Sequence, residues 1–236
     1  HASKLRSEHL GLSENRTFHR IGADGCFLSQ PVAMTRLLRA PAERSEILVD
    51  LSSDEGQSLQ LRSFNGANGT TYVPTRLQDV FDTADFDLLE LQVVAASAGA
   101  VLSIPSSLTS VDRIPEVEAV NVVSPRPFEL QANPFGINGK RMDMNIIDQR
   151  INLGDTEIWE VTNPNVQAHP FHVHGDSFQI LTRDGVPAPA NEMGWKDVVL
   201  VRPFETVRII KRFHDFADPD NPYMYHCHIL EHEDVG

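Results

Sequence analysis

Short apolar stretches separated by turn-forming residues run along most of this chain and predict an all-β fold. Val, Ile, Leu, Thr and Phe are concentrated within these stretches, and Gly, Pro, Asn or Asp stands between them. Strands are predicted in the first part at 17–22, 32–38, 45–51 and 58–64. The stretch that follows, 65–125, is less regular, and 86–94 is its one clear strand.

From residue 126 onward the strand pattern is closely spaced and favours a β-sandwich or Greek-key barrel. Strands are predicted at 127–132, 141–147, 156–163, 169–175, 177–185, 197–205, 206–214 and 223–230. The first two flank an Asn138-Gly139 pair, which favours a hairpin turn. A short helix is predicted from Leu230. We therefore expect a first unit over 1–75, an irregular connecting segment over 76–125, and a complete domain over 126–236.

The charge, the apolar content and the cysteine count each disfavour certain kinds of binding partner or site. The formal net charge of -13 disfavours binding to nucleic acid or to an anionic membrane surface, because both repel an acidic protein. No run of 18 or more apolar residues is present, so membrane insertion is not expected. Two cysteines do not make a disulfide framework. Cys26 follows a Gly-containing turn and is expected to be a small buried apolar residue.

The first group of candidate ligands lies in the segment "HPFHVHG", residues 169–175. Alternate side chains of a strand point to the same face, so His172 and His174 share one face. His169 is separated from them by Pro170, and we expect a bend there that lets His169 face elsewhere.

The second group lies in "YHCHILEH", residues 225–232. His226 and His228 share one face of the predicted strand, and Cys227 between them points to the other. His232 follows Cys227 by five residues, which lets the chain turn and bring its ring back beside the sulfur.

The two segments together predict two metal-binding faces on neighbouring strands. One face carries His172, His174, His226 and His228, and the other carries Cys227, His232 and His169. Imidazoles in this number suit Cu, Zn, Fe or Ni, and two His with one Cys are the ligands of a blue-copper electron-transfer site. The alternatives are a zinc-stabilised domain or surface histidines. A di-zinc hydrolase would need carboxylate ligands and an open water site.

Both segments resemble the C-terminal copper motifs of multicopper oxidases, the family of laccases, bilirubin oxidase and bacterial cuprous oxidases. "INGKRMDMN", "GDTEIWEVTNP" and "ANEMGWKDVVLV" resemble the bacterial branch, and "IGADGCFLSQPV" and "RAPAERSEILVDL" resemble the second half of its middle cupredoxin domain. The resemblance implies cupredoxin-like Greek-key β-sandwiches or barrels. Residues 126–236 would be the complete C-terminal domain and residues 1–75 the C-terminal part of the middle one.

The resemblance also implies copper as the cofactor, with four ions in a complete enzyme. The type 1 copper would be bound by His169, Cys227 and His232. His172 would bind the type 2 copper, and the type 3 pair would be bound by His174, His226 and His228. Such enzymes take single electrons from a reducing substrate at type 1 copper, pass them along the Cys-His strand, and reduce O2 to water. Glu233 matches a proton-relay carboxylate, the alternative being an exposed acid at a helix start.

Two departures from the family pattern concern the missing ligands. The family draws four further cluster histidines from two His-x-His motifs in an N-terminal domain, and no such motif precedes His169. The axial ligand of type 1 copper is expected at position 237, just after Gly236. We therefore expect a C-terminal portion that needs the N-terminal portion of the same enzyme and is inactive alone. The alternative is a copper-binding electron-transfer or storage module without oxygen chemistry.

The resemblance implies a phenol, an amine or a metal ion as the reducing substrate. No Met-rich insert is present, which slightly favours a phenol or amine. Met142 and Met144 are expected to pack within a strand. Trp195, Lys196 and Asp197 resemble a family segment and are expected to serve structural packing. A periplasmic or secreted location is implied by the resemblance alone.

Overall fold

The structure is a computed structural model that describes residues 6–68, 72–73, 78, 80–101 and 103–234. Strands dominate it, which confirms the all-β prediction. The strands of the first part are β1 (Glu8–Leu12), β2 (Phe18–Ala23), β3 (Cys26–Met34), β4 (Leu37–Arg39), β5 (Ser45–Leu48), β6 (Ser58–Phe64) and β7 (Asp85–Gln92). Short 3-10 helices occur at Ser13–Asn15 and Val80–Asp82, and one helical turn, α1, covers Asn65–Asn68.

The strands of the second part begin after a 3-10 helix at Glu116–Glu118. They are β8 (Arg126–Ala132), β9 (Phe135–Ile137), β10 (Thr156–Thr162), β11 (His169–Val173), β12 (Phe178–Arg183), β13 (Val186–Pro187), β14 (Val198–Val201), β15 (Thr206–Arg212) and β16 (Tyr225–Cys227). A 3-10 helix lies at Ala190–Glu192, and the predicted helix near the end of the chain is α2 (Leu230–Glu233). No helix among the described residues is long and apolar enough to cross a bilayer.

In the first part a four-stranded sheet, ordered β4-β1-β6-β7, packs on a three-stranded sheet, ordered β3-β2-β5. Leu12 and Leu37 of the larger sheet meet Phe18 of the smaller one in a shared apolar cluster. The strand at the end of the larger sheet, β7, pairs with β6 along its whole length. The predicted strand at 86–94 therefore belongs to this first sandwich.

The second part is a larger sandwich of a six-stranded sheet, ordered β13-β12-β15-β10-β8-β9, and a three-stranded sheet, ordered β14-β11-β16. Phe128, Trp159 and Phe178 of the larger sheet pack against Phe171 of the smaller one. Each of these side chains is at most 2 % exposed. Burying a large apolar side chain contributes about 1.5–3 kcal/mol, so this core holds the small sheet in place. That sheet carries the histidine segments.

The two sandwiches are in contact with each other. Ala40 of the first part shares an apolar cluster with Ala168 and Leu200 of the second, and Leu38 and Tyr72 pack against it. Because Ala168 directly precedes β11, this contact lies beside the start of a ligand-bearing strand.

The predicted strand at 141–147 is wrong. The chain leaves β8 through a cis Asn133–Pro134 bond, and β9 takes the place beside β8 at the sheet edge. A strand needs a neighbour for its backbone hydrogen bonds, and β9 already occupies that position. Met142 and Met144 are 51 % and 80 % exposed, so the expectation that they pack in a strand is also wrong.

Asn138 and Gly139 form a tight turn, as their sequence predicts. Both have positive φ, 54° and 75°, which these two residue types tolerate well. An isolated bridge between Ile137 and Lys140 closes the turn. The turn therefore follows β9 rather than joining two long strands.

Candidate metal centre

The candidate ligands are brought together by the pairing of β11 with β16. In this antiparallel register Phe171 lies opposite Cys227, and His172 lies opposite His226. Residues opposite each other in antiparallel strands project to the same face. The predicted separation of Cys227 from the flanking histidines is therefore present in the structure.

His169 reaches the Cys227 face by regular strand alternation. The bend expected at Pro170 is absent, because His169 and Pro170 both lie within β11 and pair with Val201 and Leu200 of β14. Three positions separate His169 from His172, so the two side chains fall on opposite faces. The carbonyl of Pro170 accepts a hydrogen bond of 2.7 Å from the N–H of His228, which continues the contact between the two segments.

We call His169, Cys227 and His232 the three-donor site. The Cys227 Sγ lies 3.5 Å from the His169 Nδ1 and 3.6 Å from the His232 Nδ1, and the two nitrogens are 3.2 Å apart. A point equidistant from these three atoms is about 2.0 Å from each, which is close to metal–nitrogen and metal–sulfur bond lengths. The three side chains therefore fit a single metal ion held by two nitrogens and one sulfur.

Burial controls the proton chemistry of the three-donor site. His169 and His232 are 2 % and 5 % exposed. Burial, reinforced by the neighbouring His232, lowers the pKa of His169 to about 3, and burial lowers the pKa of His232 to about 4. Burial raises the pKa of the Cys227 thiol to about 12. At neutral pH both imidazoles are ready to bind a metal, whereas the thiol must first release its proton.

Phe135 covers the outer side of the three-donor site. Its ring stacks on the His232 ring with centroids 3.9 Å apart and an interplanar angle of 25°. Phe135 begins β9, and His232 lies in α2, so the stack joins the β8–β9 hairpin to the end of the chain. Sequence reasoning missed this residue. The only sequence feature that could have indicated it is its position just before the Asn138-Gly139 turn.

The opposite face carries the four-histidine cluster, which consists of His172, His174, His226 and His228. Ligand nitrogens of the first three lie within 4.8 Å of one another, and the Nε2 atoms of His174 and His226 are 3.1 Å apart. The His228 ring centroid is 5.3 Å from that of His226 and 5.5 Å from that of His172. All four are partly exposed, so this cluster opens towards the surface of the described chain.

Two backbone carbonyls determine which nitrogen of two cluster histidines carries the hydrogen. The Nδ1 of His172 lies 2.7 Å from the Asp197 carbonyl oxygen, and the Nδ1 of His226 lies 3.1 Å from the Cys227 carbonyl oxygen. A carbonyl can only accept, so each Nδ1 must donate and each Nε2 keeps its lone pair. The lone pairs of both Nε2 atoms can thus bind a metal, although in this structure that of His226 faces the His174 Nε2 at 3.1 Å.

Glu233 lies beside the same cluster. Its Oε2 is 3.6 Å from the His226 Nδ1 and 3.9 Å from the His228 Nδ1. This position is on the far side of the rings from the Nε2 of His226. The carboxylate therefore lies near the Nδ1 atoms of two histidines, beyond hydrogen-bond distance, and occupies no metal position.

Residues outside the histidine segments also reach the site, and sequence reasoning did not identify them as such. Asp197 acts through its main-chain carbonyl, which no side-chain pattern reveals.

Other predicted residues lie away from the site. Cys26 is half-buried rather than a fully buried apolar residue, and its sulfur accepts a 3.0 Å hydrogen bond from the Trp195 N–H. Lys196 and Asp197 form ion pairs with the first part rather than only packing.

Comparison with known proteins identifies relatives along the whole chain. The family model described as multicopper oxidase matches residues 115–236. A laccase from Bacillus subtilis (strain 168) is 30 % identical over 259 residues, covering 99 % of this chain and 47 % of the relative. The cell division protein FtsP from Yersinia pestis is 30 % identical over 235 residues, covering 100 % of this chain and 48 % of that protein. The chain spans about half the length of the curated relatives it matches.

Solved structures give the same result for the fold. A laccase-like multi-copper oxidase from Ochrobactrum sp. superposes with a TM-score of 0.84 at 33 % identity, covering 99 % of this chain and 52 % of that one. McoA multicopper oxidase from Aquifex aeolicus superposes with a TM-score of 0.79 at 31 % identity, covering 98 % and 51 %. The cupredoxin-like fold is confirmed. Because the family model matches more than half of the chain, this chain belongs to the multicopper oxidase family.

Proposed function

We propose that this chain is the C-terminal portion of a copper-dependent oxidase that couples one-electron oxidation of a small substrate to reduction of O2 to water. One observation carries the proposal. The sulfur of Cys227 lies in the three-donor site, and the rings of its two neighbours, His226 and His228, lie in the four-histidine cluster.

The proposed ligands are divided between the two faces, and the division between type 2 and type 3 copper follows the resemblance to multicopper oxidases. The three-donor site, His169, Cys227 and His232, holds type 1 copper. On the other face, His172 holds type 2 copper, and the type 3 pair is held by His174, His226 and His228. Copper bound at these sites supplies one-electron transfer at the first and four-electron reduction of O2 at the second, with four ions in the complete enzyme.

The chain itself provides the connection between the two sites. Cys227 is joined through the main chain to His226 on one side and His228 on the other. Its carbonyl also accepts the 3.1 Å hydrogen bond from the His226 Nδ1. A covalent route and a hydrogen-bonded route therefore leave the same residue, which suits electron transfer over a short distance.

Glu233 is proposed to hold and deliver protons. Reduction of O2 to water consumes protons as well as electrons, and the carboxylate lies within 4 Å of two cluster histidines. Its negative charge beside the two Nδ1 atoms favours a hydrogen on that side of each ring, which leaves the Nε2 lone pairs for a metal. The same group can exchange protons with solvent, since its side chain is 34 % exposed.

The substrate is proposed to be a phenol, an amine or a metal ion. The Ochrobactrum relative is described as having oxidase activity towards lignin model compounds and lignosulfonate, which supports the phenolic class. The aromatic ring of Phe135 on His232 gives such a substrate an apolar contact next to the three-donor site. A periplasmic or secreted location fits this substrate class.

The N-terminal portion of the same enzyme is the proposed partner. Four histidines of this chain line the cluster, and all four are partly exposed. Histidines from the N-terminal portion are proposed to complete the cluster. Without them, the chain alone is proposed to be inactive towards O2.

A second candidate is a copper-binding electron-transfer or storage module. It is favoured by the three-donor site, which is enclosed by residues of this chain alone, and by the equal similarity to relatives named laccase and cell division protein. This module would bind copper at Cys227 and never consume O2.

Copper loading and oxygen consumption separate the two candidates. The purified chain, loaded with copper, is expected to develop the blue absorption of a copper–thiolate bond and to consume no O2 with a phenol. Addition of an N-terminal portion with two His-x-His motifs is expected to start consumption. Consumption by the chain alone would contradict the need for a partner, and failure of the pair to consume O2 would favour the electron-transfer module.

A further inference from the structure

A cluster of charged side chains lies where the first part meets the segment that precedes β14. We call Asp24, Glu43, Arg44, Lys196 and Asp197 the junction cluster. The Lys196 Nζ is 3.0 Å from the Asp24 Oδ2 and 3.1 Å from the Glu43 Oε1. The Lys196 and Asp24 side chains are each 1 % exposed, so this ion pair is buried.

Arg44 makes the second link across the same boundary. Its guanidinium donates to both carboxylate oxygens of Asp197, at 2.7 and 2.6 Å. Bidentate pairs of this kind fix the orientation of both groups as well as their distance. Consecutive residues of the second part, Lys196 and Asp197, are thus each held by side chains of the first part.

Asp24 also binds the main chain of the second part. Its Oδ2 accepts a hydrogen bond of 3.2 Å from the Asp197 N–H, and its Oδ1 accepts one of 3.0 Å from the Arg44 N–H. Asp24 lies in the turn between β2 and β3, and its carboxylate contacts Lys196 and Asp197 of the second part. The Val198 N–H also lies 3.5 Å from the Asp24 Oδ2, so the peptide groups on both sides of Asp197 contact this turn.

The main-chain carbonyl of Asp197 contacts a histidine of the four-histidine cluster. Its carbonyl accepts hydrogen bonds from the His172 Nδ1 at 2.7 Å and from the Val173 N–H at 3.1 Å. A rotation of this peptide would remove the acceptor that keeps the hydrogen on Nδ1. The His172 Nε2 would then lose its fixed lone pair, because the neutral ring could exchange tautomers.

We propose that Asp24, Glu43 and Arg44 of the first part are positioning residues for His172, acting through Lys196 and Asp197. They hold the Asp197 carbonyl so that His172 keeps its hydrogen on Nδ1 and presents Nε2 to the cluster. For its effect on copper, this rests on the proposed function in which His172 is a ligand. The effect on the tautomer belongs to the metal-free chain.

The first test measures the tautomer of His172 without metal. Long-range 1H–15N correlation spectra of the metal-free chain, with His172 assigned by comparison with H172Q, are expected to show one Nδ1-protonated ring. Arg44→Ala and Asp24→Asn are each expected to give a mixture of tautomers. Arg44→Lys keeps the charge but loses the bidentate geometry. Its share of the second tautomer is expected to lie between those of the wild-type chain and Arg44→Ala.

Asp54→Asn is the matched control. Asp54 is buried like Asp24 and, like Asp197, forms a bidentate pair with an arginine, Arg16, but that pair lies within the first part. This variant is expected to keep the wild-type tautomer. The Arg44 side chain is 48 % exposed, so its truncation leaves the core intact, and Asp24→Asn keeps the side-chain shape. A wild-type His172 pattern in both folded junction variants would overturn the proposal.

The second test measures copper. In Arg44→Ala, affinity for Cu²⁺ at the four-histidine cluster is expected to fall about tenfold, while the blue absorption of the three-donor site stays unchanged. Equal losses at both sites would show a general structural role and overturn the proposal. If the wild-type chain binds no Cu²⁺ at the cluster, the proposed ligand role fails, and the tautomer result still decides whether the junction positions His172.

Discussion

The three-donor site and the four-histidine cluster use the same two strands but differ in almost every physical property. Phe171 and Cys227 point inward, so the sulfur sits beside the apolar core with two buried imidazoles. His172 and His226 point outward, where the rings are partly exposed and His172 depends on a carbonyl held by the first part. Strand alternation alone therefore produces one enclosed site and one open site, one residue apart.

The largest expected effect comes from removing the sulfur. Cys227→Ser should abolish the blue absorption and lower copper affinity at the three-donor site by more than about a hundredfold, because an alcohol is a poor ligand compared with a thiolate. Copper bound at the four-histidine cluster should remain. Cys26→Ser is the matched control, since Cys26 lies outside both sites. Copper analysis and visible spectra of the two variants check this prediction, and a blue Cys227→Ser protein would contradict it.

The two sites should also respond differently to pH. Copper bound at the three-donor site would displace the proton of the Cys227 thiol, whose pKa in the metal-free chain is about 12, whereas His169 and His232 are already neutral. Raising pH increases the thiolate fraction, so affinity at the three-donor site should rise about tenfold per pH unit between about pH 6 and 9.

The four-histidine cluster provides the internal control for this pH series. Burial lowers the pKa of His172 and of His174, so both rings are uncharged above about pH 7 and release no proton when copper binds at Nε2. Affinity at the cluster should therefore be level in that range. Copper titrations against a competing chelator measure both slopes, and parallel slopes would remove the proposed difference between the sites.

A smaller effect is expected from the carboxylate behind the cluster. Glu233→Gln keeps the shape but removes the negative charge beside the His226 and His228 Nδ1 atoms, and should weaken copper binding at the cluster about tenfold. The three-donor site should keep its spectrum. Glu231→Gln changes an exposed neighbour on the same helix and serves as the control. Equal behaviour of the two variants would leave Glu233 without a role at the cluster.

The smallest expected effect concerns the cover of the enclosed site. Phe135→Leu keeps an apolar side chain but loses the stack on His232, which should lower the free energy of unfolding of the metal-free chain by about 1 kcal/mol. Phe204→Leu, at a side chain that is 69 % exposed, should change it much less. Denaturant unfolding followed by fluorescence measures both. An unchanged free energy of unfolding in Phe135→Leu would show that the ring stack contributes little to stability.

Strand alternation explains why much of the candidate site could be predicted from sequence. The histidines flanking Cys227 had to face away from it, and the register of β11 with β16 brings both halves together. The same rule failed at Met142 and Met144, because alternation specifies a face only if a partner strand is available. There β9 holds the sheet edge, and sequence spacing does not reveal which segment will occupy it.

The junction cluster could not be predicted for a different reason. Asp24 and Lys196 are 172 positions apart, and each residue type is common at protein surfaces. Only the packing of the two sandwiches brings them together and buries the pair. The tautomer of His172 likewise depends on a main-chain carbonyl, which carries no sequence signature.

The central claim is that β16 carries two independent copper sites on its two faces. Titration of the purified chain with Cu²⁺, followed together by visible absorption and electron paramagnetic resonance, tests it most directly. We predict two spectral classes that fill separately, the blue class lost only in Cys227→Ser and the other lost only in His174→Asn. A single class of copper, or loss of the blue class in His174→Asn, would contradict the claim.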